Sequence, residues 1–347
     1  MFVEEVTKWY EINSRELPWR NTSDAYIIWL SEIILQQTRV EQGMPYFYKF
    51  KERFVTVNDF AQASEDEVLK LWQGLGYYSR ARNMHATAKS VMTDHNGVFP
   101  TDYYQLLKLK GIGEYTAAAI SSFSSNAPHA VVDGNVYRLL SRYFGISTPI
   151  DSTKGKKQFK ELAYDLLKEA VPRVYNQAVM EFGAIQCKPA NPNCENCPLQ
   201  INCVAYIQQT ISSLPVKSKK TAVKERFFNY LIFRNNNNLL LNKRVSKDIW
   251  QNMYDFPLVE SQTRLSEQEL VSSSQFQDIV NANDALIMSV SNEQKHVLSH
   301  QIIYAKFWEI ESKYPKTSLL ENEFWVGEEE FESYAFPKLV DNYLKKF

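Results

Sequence analysis

All four cysteines of this 347-residue chain fall within 17 positions: Cys187, Cys194, Cys197 and Cys203, spaced C-x6-C-x2-C-x5-C. Thiols crowded into one short stretch suit four thiolates closing on a single metal centre. Three chemistries compete for the pattern. Paired disulfides belong to oxidising compartments, and the start, Met1-Phe2-Val3-Glu4-Glu5-Val6, has neither a signal-peptide nor a transit-peptide pattern. Zinc usually takes two C-x2-C-like knuckles, and only one is present. An iron–sulfur cluster is the third. The loop after Cys187, Lys188-Pro189-Ala190-Asn191-Pro192-Asn193, carries one cation and two prolines. Taken alone, Lys188 reads as a solvated surface lysine.

Two carboxylates stand in apolar or uncharged surroundings: Glu32, within Ser31-Glu32-Ile33-Ile34-Leu35, and Asp133, within Val131-Val132-Asp133-Gly134-Asn135. A bond that breaks into a cation and an anion, as an N-glycosidic bond does, needs an acid for the leaving group and an anion beside the cation. Taken alone, Glu32 reads as a surface or helix-capping residue and Asp133 as a turn or N-cap residue. Their 101-position separation does not say whether they meet. A third feature is Lys110-Gly111-Ile112-Gly113-Glu114-Tyr115, a glycine turn opening onto a helical stretch, the shape of a helix–hairpin–helix. The glycines allow unusual backbone and close approach of a ligand. The helix N-terminus behind them offers free N–H groups and a positive dipole end, an anion site that on DNA would take a phosphate.

The elements that must hold these residues are legible in outline. Apolar residues recur at helical spacing over 26–37, 65–71, 81–92 and 116–123, punctuated by glycine and proline turns, so 1–212 reads as mainly helical. Residues 213–226 are polar and basic and read as a linker. Two short apolar runs, 226–234 and 239–244, flank Asn235-Asn236-Asn237-Asn238 and predict a β-hairpin. Residues 302–310 predict another strand and 331–343 a closing helix, which makes 227–347 an α+β domain. Hydrophobic residues at 44% and charged residues at 23% suit globular cores and argue against global disorder. No apolar run nears the roughly 20 residues of a membrane helix. The net charge of −1 does not announce a nucleic-acid partner, but residues 1–220 carry 25 Lys+Arg against 22 Asp+Glu and residues 221–347 carry 14 against 18. Any phosphate-binding surface therefore belongs to the first part.

The segments SEIILQQTRV, LWQGLGYYSRARN, LKGIGEYTAAAI and VVDGNVYR, in that order, resemble the MutY family of the endonuclease III (helix–hairpin–helix) superfamily, and the similarity covers nearly all of residues 10–205. The cysteine spacing is that family's 4Fe–4S loop. The resemblance implies a mainly α glycosylase region over 1–212, divided into a six-helix module of about 22–130 and an iron–sulfur module of 1–21 plus 131–212. It also implies a Nudix-like α+β domain over 227–347. The implied activity is removal of adenine opposite 8-oxoguanine or guanine in duplex DNA, by base flipping and hydrolysis, in base excision repair. Glu32 would protonate adenine N7, and Asp133 would stabilise the oxocarbenium ion. Trp19, Arg20 and Gln177 would line the adenine pocket. Gln37 and the wedge Tyr77 would sit by the lesion, and Lys110, Gly111 and Gly113 would hold phosphate. The implied cofactor is one 4Fe–4S cluster on Cys187, Cys194, Cys197 and Cys203. The implied setting is a monomer on double-stranded DNA, in a bacterial cytoplasm and nucleoid, with no membrane role.

Position 115 separates relatives within that superfamily. Endonuclease III has a lysine there whose amine attacks C1′, whereas Tyr115 closes the Schiff-base route and implies a monofunctional glycosylase. In the second domain, Trp250-Gln251-Asn252-Met253-Tyr254-Asp255-Phe256-Pro257 resembles the family's W-x-G-L-W/Y-E-F-P, with Asn252 in place of glycine. No G-x5-E-x7-R-E-x2-E-E segment follows, so Mg²⁺-dependent nucleotide hydrolysis is not expected. His296-Val297-Leu298-Ser299-His300 matches the lesion-reading F-S-H loop at Ser299 and His300, with Leu298 replacing phenylalanine; Lys110 likewise replaces the usual proline. Three rivals remain at this point: an endonuclease III-type lyase, a non-catalytic damage binder and an Fe–S redox regulator.

Overall fold

The computed structural model describes residues 1–218, 223–235, 237–280, 285–312 and 319–346. Part of the expected linker, 219–222, and Asn236 of the expected hairpin turn lie outside the described residues. The chain divides into two compact units, Met1–Gln62 with Asn83–Lys220 and Ala63–Arg82 with Thr221–Phe347.

The first unit is helical. Its central helix, Ala25–Ile34, reads AYIIWLSEII and is buried at every position but Ile27. A helix apolar all round belongs in the middle of a helical fold. Asp24 starts it, accepting from the Tyr26 N–H at 2.9 Å. The helix ends at Ile34 with Leu35 as its C-cap, short of the expected 37, where Gln37 takes a left-handed φ of +56° that a helix cannot continue through. It packs on Glu114–Ser125, whose Ala117, Ala118 and Ala119 are buried and small enough for close approach. Pro172 opens the helix Pro172–Glu181, which runs straight into a π turn, Phe182–Gln186, and delivers the chain to Cys187. The helix Gly134–Phe144 is capped by Asp133 and stopped by left-handed Gly145. Its buried Val136, Leu139 and Leu140 join Phe2, Val6, Phe159, Tyr175 and Phe182 in a core beneath the cysteine loop.

The second unit is built on one mixed sheet. Strand β1 (Lys224–Asn235) and β2 (Asn238–Lys243) form the expected antiparallel hairpin, and β3 (Tyr254–Asp255) lies outside β2. β4 (Leu258–Ser261) pairs with β1, while β5 (Ala285–Val290) and β6 (Gln294–Val297) both pair with β7 (Gln301–Ser312). β7 runs parallel to β1 at the sheet centre, and β8 (Glu323–Gly327) pairs with β2. The expected closing helix over 331–343 is instead a 3₁₀ turn, Glu328–Ser333, and a separate helix, Lys338–Leu344. Pro337 sits between them as the second helix's N-cap and cannot continue a helix from the turn before it. Tyr343 of that helix stacks on Phe307 of the sheet at 3.9 Å between ring centroids. Ala63–Arg82, read from sequence as part of the helical region, belongs to this unit. It contributes the helix Glu65–Trp72 and the turn that follows it. Among the described residues no helix is long and apolar enough to cross a membrane.

Candidate active site and cysteine loop

The first unit holds a cleft of about 1090 Å³ whose walls include Trp19, Arg20, Glu32, Gln37, Gly113, Tyr115, Asp133 and Gln177. The helix Ala25–Ile34 brings Glu32 there at 9% exposure, and Tyr115, in the first turn of Glu114–Ser125, donates its hydroxyl to Glu32 Oε2 at 2.8 Å. Burial pushes the Glu32 carboxyl up to about 7. The Tyr115 hydrogen bond and the Arg20 charge pull the other way, while the Asp133 charge adds to the rise. Burial also raises the Tyr115 phenol well above its usual range. Asp133 performs the N-cap role that its local sequence allows. Its Oδ1 accepts from the N–H groups of Asn135 and Val136 at 2.9 and 2.8 Å, and its Oδ2 accepts from Asn135 Nδ2 at 2.7 Å. Burial raises its carboxyl as well, and these three hydrogen bonds oppose the rise. Two carboxyls thus share one cleft without sharing a proton donor.

Glu181 and Arg15 line the cleft as well, and neither was singled out from sequence. Glu181, 1% exposed, accepts from Arg15 Nε and Nη2 at 2.7 and 2.9 Å and from Arg20 Nη2 at 2.5 Å. Burial alone would raise the Glu181 carboxyl, but the two guanidiniums overcome it and hold it down at about 2. Glu181 stands in Val179-Met180-Glu181-Phe182, so the criterion that picks out Glu32, a lone carboxylate in an apolar run, finds it too. Arg20 lies over the Tyr10 ring, 5.7 Å from its centroid, and Tyr10 donates to Gln177 Oε1 at 2.7 Å. Arg20 Nη1 is buried with no hydrogen-bond partner among the described residues. Trp19 packs edge-on against Phe47 at 5.0 Å.

At the hairpin, only Gly111 has left-handed backbone, φ +81°, and a Cβ there would stand 2.8 Å from Asn83 Cβ. Gly113 has φ −95° and open space where a Cβ would go, so neither its backbone nor its packing calls for glycine. Lys110 is exposed, its carbonyl taken by Thr87 Oγ1 at 2.7 Å.

The four cysteines line one small cavity together with Leu139, Tyr143, Phe182 and Arg142. Burial pushes the thiols of Cys194 and Cys203 up, and that of Cys197 up to about 11. Arg142, 2% exposed, answers that cost. Its Nη1 lies 3.5 Å from Cys187 Sγ, and its other bonds go to the carbonyls of Lys188, Pro189, Ile211 and Leu214. The Arg142 charge opposes the rise at Cys194 and Cys203. Among the described residues no group of three or more His, Cys, Asp or Glu side chains is positioned to hold one metal ion; the thiols ring a cavity instead. Arg138 ties this loop to Asp133. It donates to the carbonyls of Cys187 and Gly183 at 2.8 and 2.6 Å and to Asn135 Oδ1 at 2.9 Å, and Asn135 holds Asp133.

In the second unit, Tyr77 and Ser299 share a side-chain hydrogen bond, and the His300 carbonyl accepts from the Lys224 N–H at 3.0 Å. Tyr77 follows Gly74 and Gly76, with φ values of +96°, +78° and, for Tyr77 itself, +48°.

Residues 30–165 match the family model of the HhH-GPD superfamily base excision DNA repair protein, and residues 229–346 match the NUDIX domain. An adenine DNA glycosylase of Buchnera aphidicola subsp. Baizongia pistaciae is 33% identical, over 88% of this chain and 84% of that one. Its counterpart from Buchnera aphidicola subsp. Acyrthosiphon pisum is 31% identical over 100% of this chain and 97% of its own. A solved thermostable thymine-DNA glycosylase is 31% identical and superposes with a TM-score of 0.56, covering 60% of this chain and 95% of that one. Endonuclease III in a non-covalent DNA complex shares the fold at a TM-score of 0.51 and 21% identity, over 60% of this chain and 94% of its own. Helical fold, hairpin and carboxylate-lined cleft together define a base-excision DNA glycosylase, a hydrolase, joined to a mixed-sheet Nudix-like domain. Within that class the chain belongs to the adenine DNA glycosylase family.

Proposed function

We propose that this protein is a monofunctional glycosylase that removes adenine opposite 8-oxoguanine, or opposite guanine, from duplex DNA by flipping the base and hydrolysing its N-glycosidic bond. The observation that carries the reading is Glu32: a buried carboxyl raised to about 7, bonded to Tyr115, in the same cleft as the capped Asp133. An acid with that value is protonated in a large fraction at neutral pH and can still give its proton up. Glu32 protonates N7 of the flipped adenine, and Tyr115 orients it. Asp133, fixed by three hydrogen bonds, supplies the negative charge beside C1′ as the sugar becomes cationic. Arg20, with Nη1 lacking a partner among the described residues, offers a donor to the base, and Trp19 and Gln177 complete the pocket. Tyr115 brings no amine, so the product is an intact strand with an abasic site.

Gly111 and Gly113 let a phosphate reach the N-terminus of Glu114–Ser125, with Lys110 beside it. The open space at Gly113 supports this, since an approaching ligand explains a glycine that the fold does not. Gln37, the wedge Tyr77, Ser299 and His300 read the opposite base. Cys187, Cys194, Cys197 and Cys203 hold one 4Fe–4S cluster, because thiols ringing a cavity beside a buried arginine suit a multi-iron cluster better than one zinc ion. Bound there, the cluster cross-links the loop and supplies a redox-capable centre. The division of labour is a glycosylase region over 1–212 and a lesion reader over 227–347, acting as a monomer in the bacterial cytoplasm and nucleoid.

The test is single-turnover excision on duplexes carrying A opposite 8-oxoguanine, A opposite G, and thymine glycol, with and without alkali. Adenine release that nicks the strand only after alkali is expected. Nicking without alkali, or release of thymine glycol, would favour an endonuclease III-like lyase.

A further inference from the structure

Ala63–Arg82 shares a compact unit with the sheet although some 140 residues separate them in sequence, and polar contacts run along its whole length. Near the start of the helix Glu65–Trp72, Asn252 Nδ2 donates to Glu65 Oε1 at 2.5 Å, and Lys243 Nζ lies 3.0 Å from both carboxylate oxygens of Asp66. Near its end, Lys70 Nζ donates to the Tyr334 carbonyl at 2.9 Å, and Gln73 Oε1 accepts from the Phe336 N–H at 3.1 Å. Past the turn, Arg82 Nη1 donates to the Gln251 carbonyl at 2.9 Å. Between these anchors projects Tyr77, 43% exposed and left-handed, hydrogen-bonded to Ser299. A left-handed residue at a turn tip holds its conformation only when its flanks are fixed.

Asn252 is itself left-handed, φ +62°, in a stiff turn: its N–H donates to the Arg244 carbonyl at 2.7 Å, and Trp250 beside it is buried. Its side chain stands where the resembling segments carry glycine, so this bond is particular to an asparagine at 252. Asparagine tolerates that backbone better than most side chains.

We propose that Asn252 is a positioning residue for opposite-base recognition. By clasping Glu65, with Lys243 on Asp66 beside it, it fixes the start of the helix that leads into the Tyr77 turn to the unit that carries Ser299, so wedge and reader meet the lesion as one preset pair. The inference rests on the reading of Tyr77 as the wedge given above.

Asn252→Gly tests it in the full chain, since glycine suits the left-handed backbone and removes only the clasp. Adenine excision from A opposite 8-oxoguanine at saturating enzyme should stay within about twofold, while the preference for 8-oxoguanine over guanine, taken as the ratio of half-saturating enzyme concentrations, falls on the order of three- to tenfold. A 2-aminopurine beside the lesion, whose fluorescence reports unstacking by the wedge, should respond less. Asn252→Asp alone sets two carboxylates face to face and should do worse; pairing it with Glu65→Gln restores a donor and acceptor in reverse and should recover both readouts. If Asn252→Gly changes neither readout while Tyr77→Ala lowers both, the clasp is overturned and the wedge stands. If Tyr77→Ala also changes neither, the wedge reading fails and the clasp falls with it.

Discussion

Glu32 and Glu181 are both buried carboxyls in one cleft, and they end on opposite sides of the usual carboxylate range: burial lifts Glu32 to about 7 against a single phenol hydrogen bond, while two guanidiniums outweigh burial and hold Glu181 at about 2. Excision that needs protonated Glu32 should therefore fall as pH rises through about 7. Tyr115→Phe removes a hydrogen bond that lowers the Glu32 value, so this basic limb should move to higher pH. Glu181→Gln removes an anion from the same cleft and should move it to lower pH. Single-turnover pH–rate profiles check both, and shifts of the same sign would contradict the assignment. The same rise acts on stability. A carboxyl raised on folding contributes stability that is whole below its unfolded value of about 4.5 and lost as pH climbs through about 7. Glu32→Gln avoids that loss and should gain on the wild type by about 3 kcal/mol between pH 4 and pH 8, measured by denaturant unfolding. Glu32 and Asp133 could be picked from sequence because each stands alone among apolar or uncharged neighbours. Glu181 meets the same criterion, but its pairing with Arg15 is not legible, since the two lie 166 positions apart and only the fold joins them.

At the scale of elements, the helix Gly134–Phe144 connects the cysteine loop to the cleft that holds Asp133. Asp133 caps its first turn and Arg138, one turn on, grips the carbonyls of Gly183 and Cys187 while holding Asn135 against Asp133. Arg138→Gln should thus slow excision more than about tenfold, by loosening a charge that must be held in place, yet leave four irons per chain. Cys197→Ser should lose iron. Retained iron in Cys197→Ser, or wild-type excision in Arg138→Gln, would break the connection at one end or the other. Helix existence was legible here and helix ends were not. Left-handed Gln37 stops one helix early, and Pro337 splits another, where apolar periodicity runs on through both. The π turn after Glu181 has no sequence mark, because its register depends on where Arg138 and the cysteine loop pull the carbonyls.

At the scale of the whole molecule, the compact units do not follow the chain. The motif LWQGLGYYSRARN matches the glycosylase region in sequence order, yet Ala63–Arg82, which holds most of it, shares a unit with the sheet. Periodicity could not reveal this, since the fastening is by single polar contacts to residues that differ little from ordinary surface side chains. It sharpens what deleting 227–347 should do. Glu32, Tyr115, Asp133, Glu181 and the four cysteines all lie in the first unit, so the truncated protein should keep its iron and still excise adenine. It would lose the partners of Glu65, Asp66, Lys70 and Gln73 together, so amide hydrogen exchange over 65–77 should rise while exchange over 25–34 and 114–125 holds. Preference for 8-oxoguanine over guanine should shrink by about five- to 150-fold, the value of a few lost hydrogen bonds to the lesion edge at 1–3 kcal/mol. Ser299→Ala with His300→Ala in the full chain should show part of that loss without the rise in exchange, which separates reading the lesion from supporting the wedge. A truncated enzyme that keeps the full-length ratio would instead assign discrimination to Gln37 and Tyr77 alone.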